Sequence, residues 1–271
     1  MHIDSVIQLD EQDSATLYFL HNVNTDFHRH PCLQLTISLN DIFLSLETED
    51  KKYREFGFII RSNLSHKLNT TCAINFLLEP DAPYFHLLSH FTENDPIYRL
   101  SREEASILAQ YFIQTIENKQ VFDVEHIVNL LYRPNTSCLC RQDSRIVKAI
   151  SIISLLPVKQ ISSKDIADKI YLSESRFLHL FRENLGINFR GYLLWKRLRD
   201  VINTLDASAT LTTLANDMGF ADSAHFSRTC VASFGLRPSE LKRALIYNQK
   251  LPNNKHGKHI YCLHKQNLDI N

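Results

Sequence analysis

Apolar and polar residues alternate with a period of two from Leu33 to Leu46. Leu33, Leu35, Ile37 and Leu39 form one run, Ile42, Leu44 and Leu46 a second, and Asn40-Asp41 stands between them. The spacing predicts a β-hairpin that reverses at this polar pair. Strand-like runs follow at YREFGFII (53–60) and CAINFLL (72–78), so the first part of the chain reads as a small antiparallel barrel or sandwich. At Ser101 the period changes. Ser101 and Glu104 have the spacing of a capping box, and Ala105, Leu108, Phe112 and Ile116 recur at helical intervals. A helical pair over 101–118 and 123–132 closes this half. Its apolar positions, with Ile127, Leu130 and Leu131, suit either a seam with a second copy or packing on their own barrel. RPNTSCLCRQDS (133–144) has the Pro and small polar residues of a linker.

Beyond the linker the pattern is helical and repeats itself. Lys164 to Gly186 matches Thr212 to Gly235: Ala167 pairs with Ala215 at an offset of 48, whereas Phe177 with Phe226 and Gly186 with Gly235 are 49 apart. Each copy reads as a short helix, a tight turn, a longer helix and a glycine at the left-handed stop position. The first long helix sets Phe177, Leu180, Phe181 and Leu185 on one face and Ser175, Arg176, His179 and Arg182 on the other. The second sets Phe226, Cys230 and Phe234 inward, with Ser223, Ala224, Ser227 and Arg228 outward. These are two helix-turn-helix units, over 163–185 and 211–234, each with a polar face able to enter a major groove. Between them Trp195, Leu198, Ile202 and Leu205 align as a core stripe flanked by Lys196, Arg197 and Arg199.

Composition sharpens this division. The 271 residues have no formal net charge, yet residues 1–140 hold 10 Lys and Arg against 19 Asp and Glu, and the remainder holds 20 against 11. A basic helical half suits a polyanion, and an acidic barrel half would be repelled by one. No apolar run approaches the roughly 20 residues that span a bilayer, and the N-terminus lacks the order of a secretory signal. The expected location is the cytoplasm, where the six cysteines stay reduced.

Arg197-Leu198 together with LTTLANDMGFADSAHFSRTCVASFGLRPSEL (211–241) resembles the signature of the AraC/XylS family of bacterial transcription regulators, and residues 143–244 fit that family's DNA-binding domain. HRHPCLQLTISLN (28–40) resembles its cupin-like sensor more loosely. The resemblance implies an α+β chain: a cupin-like sensor or dimerisation domain with a helical pair over 1–135, a linker over 136–144, an all-α DNA-binding domain with two helix-turn-helix units over 145–244, and a polar tail over 245–271. The implied partners are double-stranded DNA, a small-molecule effector, a second copy of the chain and, for an activator, RNA polymerase, with no membrane. The two recognition helices would lie about 34 Å apart in successive major grooves. Aligned on them, Ser175, Leu178 and His179 face bases and Arg176 and Arg182 phosphates, while Ser223, Ala224, Ser227 and Arg228 take the equivalent places in the second unit. Arg228 is the side chain best suited to a bidentate contact with guanine. The chain departs from the family at Tyr171, where a small turn residue is expected, which predicts a rearranged first turn. It departs again over Val231-Ala232-Ser233, which carries no charge.

Cupin metal sites have the form His-x-His-x3-Glu with a later third His. Here His28, His30, Gln34 and His66 stand at comparable places, but Gln34 replaces the carboxylate, Asn40 stands for the motif's glycine, and the Pro and Gly expected before His66 are absent. Strand parity sets His28, His30 and Gln34 opposite Leu33, Leu35 and Ile37. If those leucines fill the barrel, the histidines point out of it, and only a polar lumen or a bulge reverses that. Parity therefore argues against a metal, and the four residues are candidates for an effector pocket or a structural role, with no metal and no cofactor expected. Cys138-x-Cys140 and the tail residues His256, His259, Cys262 and His264 are weaker candidates for a switch or a metal site. No phosphate loop, nucleophile elbow or paired-carboxylate motif is present, so no catalytic residue is predicted. The expected activity is that of a DNA-binding regulator and not an enzyme. The rival readings are a metal-dependent cupin enzyme with a helical accessory domain, and a regulator with no small-molecule ligand.

Overall fold

The computed structural model describes residues 6–8, 15–39, 41–82, 85–118, 124–131, 143–203, 215, 219–244 and 248–249. The chain divides into two units, Met1–Cys140 with Glu240–Asn271, and Arg141–Ser239.

The first unit is built on β1 (Val6–Gln8), β2 (Ala15–Asn24), β3 (Leu33–Ser38), β4 (Leu44–Glu47), β5 (Lys52–Glu55), β6 (Gly57–Ile60), β7 (Lys67–Leu78), β8 (Ile97–Arg99) and β9 (Asn248–Gln249). The sheet runs β8-β6-β3-β7-β2-β1-β9, with β4 pairing β5 and β7. Its pairings among the described residues are antiparallel except that of β9 along β1, and the sheet curls into a nearly closed barrel. Asn248-Gln249, expected in the polar tail, thus adds to the open edge of β1.

The hairpin expected across Asn40-Asp41 does not form. β3 pairs residues Ala73–Leu78 of β7, and β4 pairs Lys67–Asn69 of the same strand. The two short strands therefore follow one another along one edge of a 12-residue strand. Asp41 takes a left-handed φ of 55°, and Ile42 and Phe43 are left exposed after it. YREFGFII holds two strands, β5 and β6, whose partners are β4 and β3. β2, which pairs β7 over nearly its whole length, escapes the alternation test because Ala15, Thr16, Leu17 and Tyr18 are all buried.

The described residues of this unit include α1 (Phe85–Ser89), α2 (Arg102–Glu117) and α3 (Val124–Leu131). The Ser101 hydroxyl accepts from the Glu104 N–H at 3.2 Å and the Glu104 carboxylate from the Ser101 N–H at 2.8 Å, the reciprocal capping box. Ala105, Leu108, Phe112, Ile127 and Leu131 are buried in one core with Leu33, Leu35, Ile37, Ile74 and Phe76 of the sheet. Of the two roles open to that helical stripe, packing on its own sheet is the one realised, so these residues are not free to form a dimer seam; the side chain of Ile116 lies outside the described residues.

The second unit contains α4 (Ser144–Ser154), α5 (Ser163–Lys169), α6 (Glu174–Leu185), α7 (Phe189–Asn203) and α8 (Ser223–Phe234), and α9 (Pro238–Ala244) runs across the division at Ser239. α4, α5, α6 and α8 each begin at a side-chain cap: Asp143, Ser162, Ser173 and Asp222 accept from an N–H two or three residues on. α6 and α8 stop at Gly186 and Gly235, both at φ 67°. Phe177, Phe181 and Phe189 meet with ring centroids 5.1–5.6 Å apart at the centre of one core. Trp195 lies against Phe234 at 5.3 Å, and Leu198, Phe226 and Cys230 are buried. Arg199, expected on the solvated flank of α7, is itself only 7% exposed. The linker cysteines, most of 204–218 and the tail beyond Gln249 lie outside the described residues.

Candidate functional site

The two repeats share more than apolar spacing. Leu172 N–H donates to Ala167 O at 3.0 Å and, 48 residues on, Phe220 N–H donates to Ala215 O at 2.9 Å. Between donor and acceptor Tyr171 and Gly219 both take a positive φ, 59° and 85°. The first turn is therefore not rearranged: its backbone closes like that of the second, and Tyr171 is forced into the left-handed region that glycine occupies freely. The side chain escapes into solvent at 90% exposure, where the Lys148 ammonium lies 5.6 Å from its ring.

This turn aims α6 with Phe177, Leu180, Phe181 and Leu185 inward and leaves Ser175, Arg176, Leu178, His179 and Arg182 exposed. Leu178, 38% exposed, is an apolar side chain on this otherwise polar face. His179 Nε2 lies 3.9 Å from a Glu183 carboxylate oxygen one turn on. In α8, Phe226, Cys230 and Phe234 are buried, Ser223, Ala224 and Arg228 are exposed, and Ser227 is half-buried. Burial pushes the Cys230 thiol up to about 12, so it serves as a small apolar core residue. The first helix of the second helix-turn-helix repeat lies outside the described residues apart from Ala215.

In the other unit the structure brings His28, His30, Gln34 and His66 together, although the last stands 32 residues beyond Gln34. The parity expectation fails at its premise. Leu33, Leu35 and Ile37 pack on the helices, so the opposite face of β3 turns inward, and the whole strand is buried. His28 and His66 exchange N–H···O bonds of 3.0 Å in an isolated antiparallel bridge that prolongs the β2–β7 pairing. The three histidines are 1–7% exposed and their ring centroids lie 4.3, 5.4 and 5.8 Å apart. Their orientations are set by the backbone. Nδ1–H of His28 donates to Asp26 O at 2.9 Å, that of His30 to Cys32 O at 3.1 Å, and that of His66 to Leu64 O at 2.9 Å. Gln34 Oε1 is 2.8 Å from His30 Nε2 and 3.2 Å from His66 Nε2. The Gln34 amide N–H donates to Thr36 Oγ1 at 2.8 Å, and the Thr36 hydroxyl to Asn75 Oδ1 at 2.7 Å. Desolvation lowers all three imidazoles, His28 to about 3 with help from neighbouring His30, so they are neutral at pH 7.

Sequence reasoning read Asp41 only as a turn residue and did not link it to Arg102, with which it ion-pairs in an open groove between the end of β3 and α2, the guanidinium 5.3 Å from the Phe56 ring. No periodicity links residues so far apart. Among the described residues, no helix is long and apolar enough to cross a membrane.

Residues 166–244 match a family of helix-turn-helix domains. The chain is similar to the Msm operon regulatory protein of Streptococcus mutans, 29% identical over 85 residues, 31% of each chain. It is also similar to the lactose operon transcription activator of Staphylococcus xylosus, 26% identical over 38% of this chain and 37% of that one, and to the arabinose operon regulatory protein of Salmonella typhimurium, 31% identical over 37% and 36%. These matches span about a third of each relative's length. Among solved structures, ToxT from Vibrio cholerae O395 has a similar fold, with a TM-score of 0.54 at 12% identity over 85% of this chain and 97% of that one. A second structure of ToxT, bound to (E)-4-(8-methylnaphthalen-1-yl)but-3-enoic acid, gives 0.55 at 13% over 85% and 98%.

Proposed function

We propose that the chain is a transcription regulator of the AraC/XylS type, whose relatives it matches over its helix-turn-helix region, and that it binds specific double-stranded DNA through residues 145–244 under the control of residues 1–135. The observation that carries this reading is the pair of solvent-facing helices α6 and α8, fixed by the same turn and stopped by the same left-handed glycine. A repeated reading head with exposed Arg176, Arg182 and Arg228 is built for two successive major-groove contacts. Ser175, Leu178 and His179 read bases in the first half-site, and Arg176 and Arg182 hold phosphates. Ser223, Ala224, Ser227 and Arg228 are their counterparts in the second, with Arg228 on guanine. The side-chain partner of His179, Glu183, competes with a base for that imidazole. The named relatives regulate operons, which supports a regulator and not a catalyst, working in the cytoplasm beside the genes it controls.

Residues 1–135 answer to an effector held in the barrel, at His28, His30, Gln34 and His66, or to a second copy of the chain, and either changes how the DNA-binding units are presented. The dimer surface would lie outside the apolar stripe that α2 and α3 bury on their own sheet. RNA polymerase is a further partner if the chain activates.

Selection of bound sequences from a random DNA pool, followed by titrations at several salt concentrations, tests the reading. We expect Arg228→Ala to relax preference at one operator position at a cost of about 1–3 kcal/mol. Arg182→Ala weakens all sequences alike and lowers the magnitude of the salt slope by about 1. Equal effects of both substitutions on selected and random DNA overturn the assignment of roles; a pool from which no sequence is enriched overturns the function.

A further inference from the structure

We propose that His28, His30 and His66, assisted by Gln34, bind one divalent first-row transition-metal ion inside the barrel. As a metal site the proposal stands by itself; as the effector site of the regulator it rests on the reading above.

The donor atoms of the three histidines all lie within 4.8 Å of one another. A zinc ion holds imidazole nitrogens at about 2.0–2.1 Å, which sets them roughly 3.4 Å apart on a tetrahedron, so closure needs little more than an ångström of ring movement. The rings are already oriented for it. Each Nδ1–H is engaged by a backbone carbonyl, the outer-sphere arrangement that fixes the tautomer of metal-bound histidine and presents Nε2 to the metal. The Gln34 oxygen joins the same space, held by the Gln34–Thr36–Asn75 chain with its N–H pointing away. Nitrogen lone pairs and an amide oxygen thus face one another in a buried site, where a cation converts repulsion into coordination. The three histidines come from two connections, β2–β3 and β6–β7, and Gln34 from β3, so the ion ties together segments that only the sheet brings into contact.

The chemistry selects the ion. Three imidazoles and one amide oxygen, with no carboxylate among the described residues of the cluster, suit Zn(II), Co(II), Ni(II) or Fe(II) and not Ca(II) or Mg(II), which require oxygen ligands. The neutral donor set also predicts that a carboxylate in place of Gln34 strengthens binding. The rival arrangement turns the Gln34 and Asn75 amides end for end, lets the Gln34 N–H groups donate to His30 and His66, and needs no ion.

The experiment uses the full chain, stripped by chelator and titrated with Zn(II) and Co(II). We expect one ion per chain with micromolar or tighter affinity, a rise in melting temperature of several degrees, and Co(II) d–d bands without the sulfur charge-transfer band that a cysteine ligand adds. His30→Ala and His66→Ala should each weaken binding at least 100-fold, and Gln34→Glu should tighten it about tenfold. The full chain carrying His256→Ala, His259→Ala and His264→Ala should bind as the wild type does. A wild-type chain that retains neither ion at 50 to 100 micromolar free metal overturns the proposal, as does stoichiometric binding lost only with the tail histidines. If His30→Ala or His66→Ala fails to fold, the wild-type stoichiometry, the cobalt spectrum and Gln34→Glu still decide. All readouts are made without DNA, so failure here leaves the regulatory reading standing, and failed DNA selection leaves the metal site standing.

Discussion

Tyr171 shows what a single residue carries for the fold. Its place in the repeat is the place of Gly219, and both backbones take a positive φ, but only glycine does so without a clash of Cβ against the following carbonyl, a cost of about 1–2 kcal/mol. Little is returned, since the ring is almost fully exposed. Tyr171→Gly should therefore raise stability by about 0.5–1 kcal/mol after the greater entropy of an unfolded glycine is set against the relief. Urea unfolding measures it, and a loss of stability would mean that the Lys148 contact outweighs the strain. The sequence showed an unusual residue at this turn. That the turn would keep its shape and place the strain in one φ was decided by the Leu172–Ala167 hydrogen bond and the helices on either side.

At the scale of elements, the legible parts are those whose cause is local. The capping box at Ser101, the glycine stops at Gly186 and Gly235 and the inward stripes of α2, α6 and α8 all arise within four residues along the chain. The sheet was less legible because partner choice is not local. β3 and β4 look like the arms of a hairpin, yet each finds a better partner in β7, whose length accommodates both. Gly57 in β6 exposes the same dependence. A Cβ there would meet Leu100 Cδ1 at 2.6 Å and the Thr36 carbonyl oxygen at 2.9 Å, and its own carbonyl accepts from Leu100 N–H at 3.0 Å. Gly57→Ala should cost about 1–3 kcal/mol by overpacking the β3–β6 contact. Adding Leu100→Ala should return part of that loss in a double-mutant cycle; strict additivity would show that Leu100 is not the obstacle.

At the scale of the molecule each unit has a core among the described residues, one between sheet and helices around Phe76 and Phe112, the other around Phe177, Phe181 and Phe189. Each unit can be perturbed through its own ring. Phe112→Ala should remove about 3–5 kcal/mol from the unfolding of the sheet unit and leave that of the helical unit, and Phe181→Ala should do the reverse. Calorimetry of the full chain should thus show two transitions that move separately; one transition lowered equally by both substitutions would refute independent cores. By itself the sequence determined the longer helices, the capping box at Ser101, the glycine stops, the internal repeat and the outward faces of α6 and α8, because these follow from spacing over a few residues and from comparison of one segment with another. It also supplied the two faces of β3. Only the tertiary structure decided which face the helices cover. The leucines took that side because α2 and α3 offer them an apolar partner, and this turned Gln34 inward and brought His28 and His30 to His66, since side-chain parity distinguishes the faces of a strand but does not say what lies against either one.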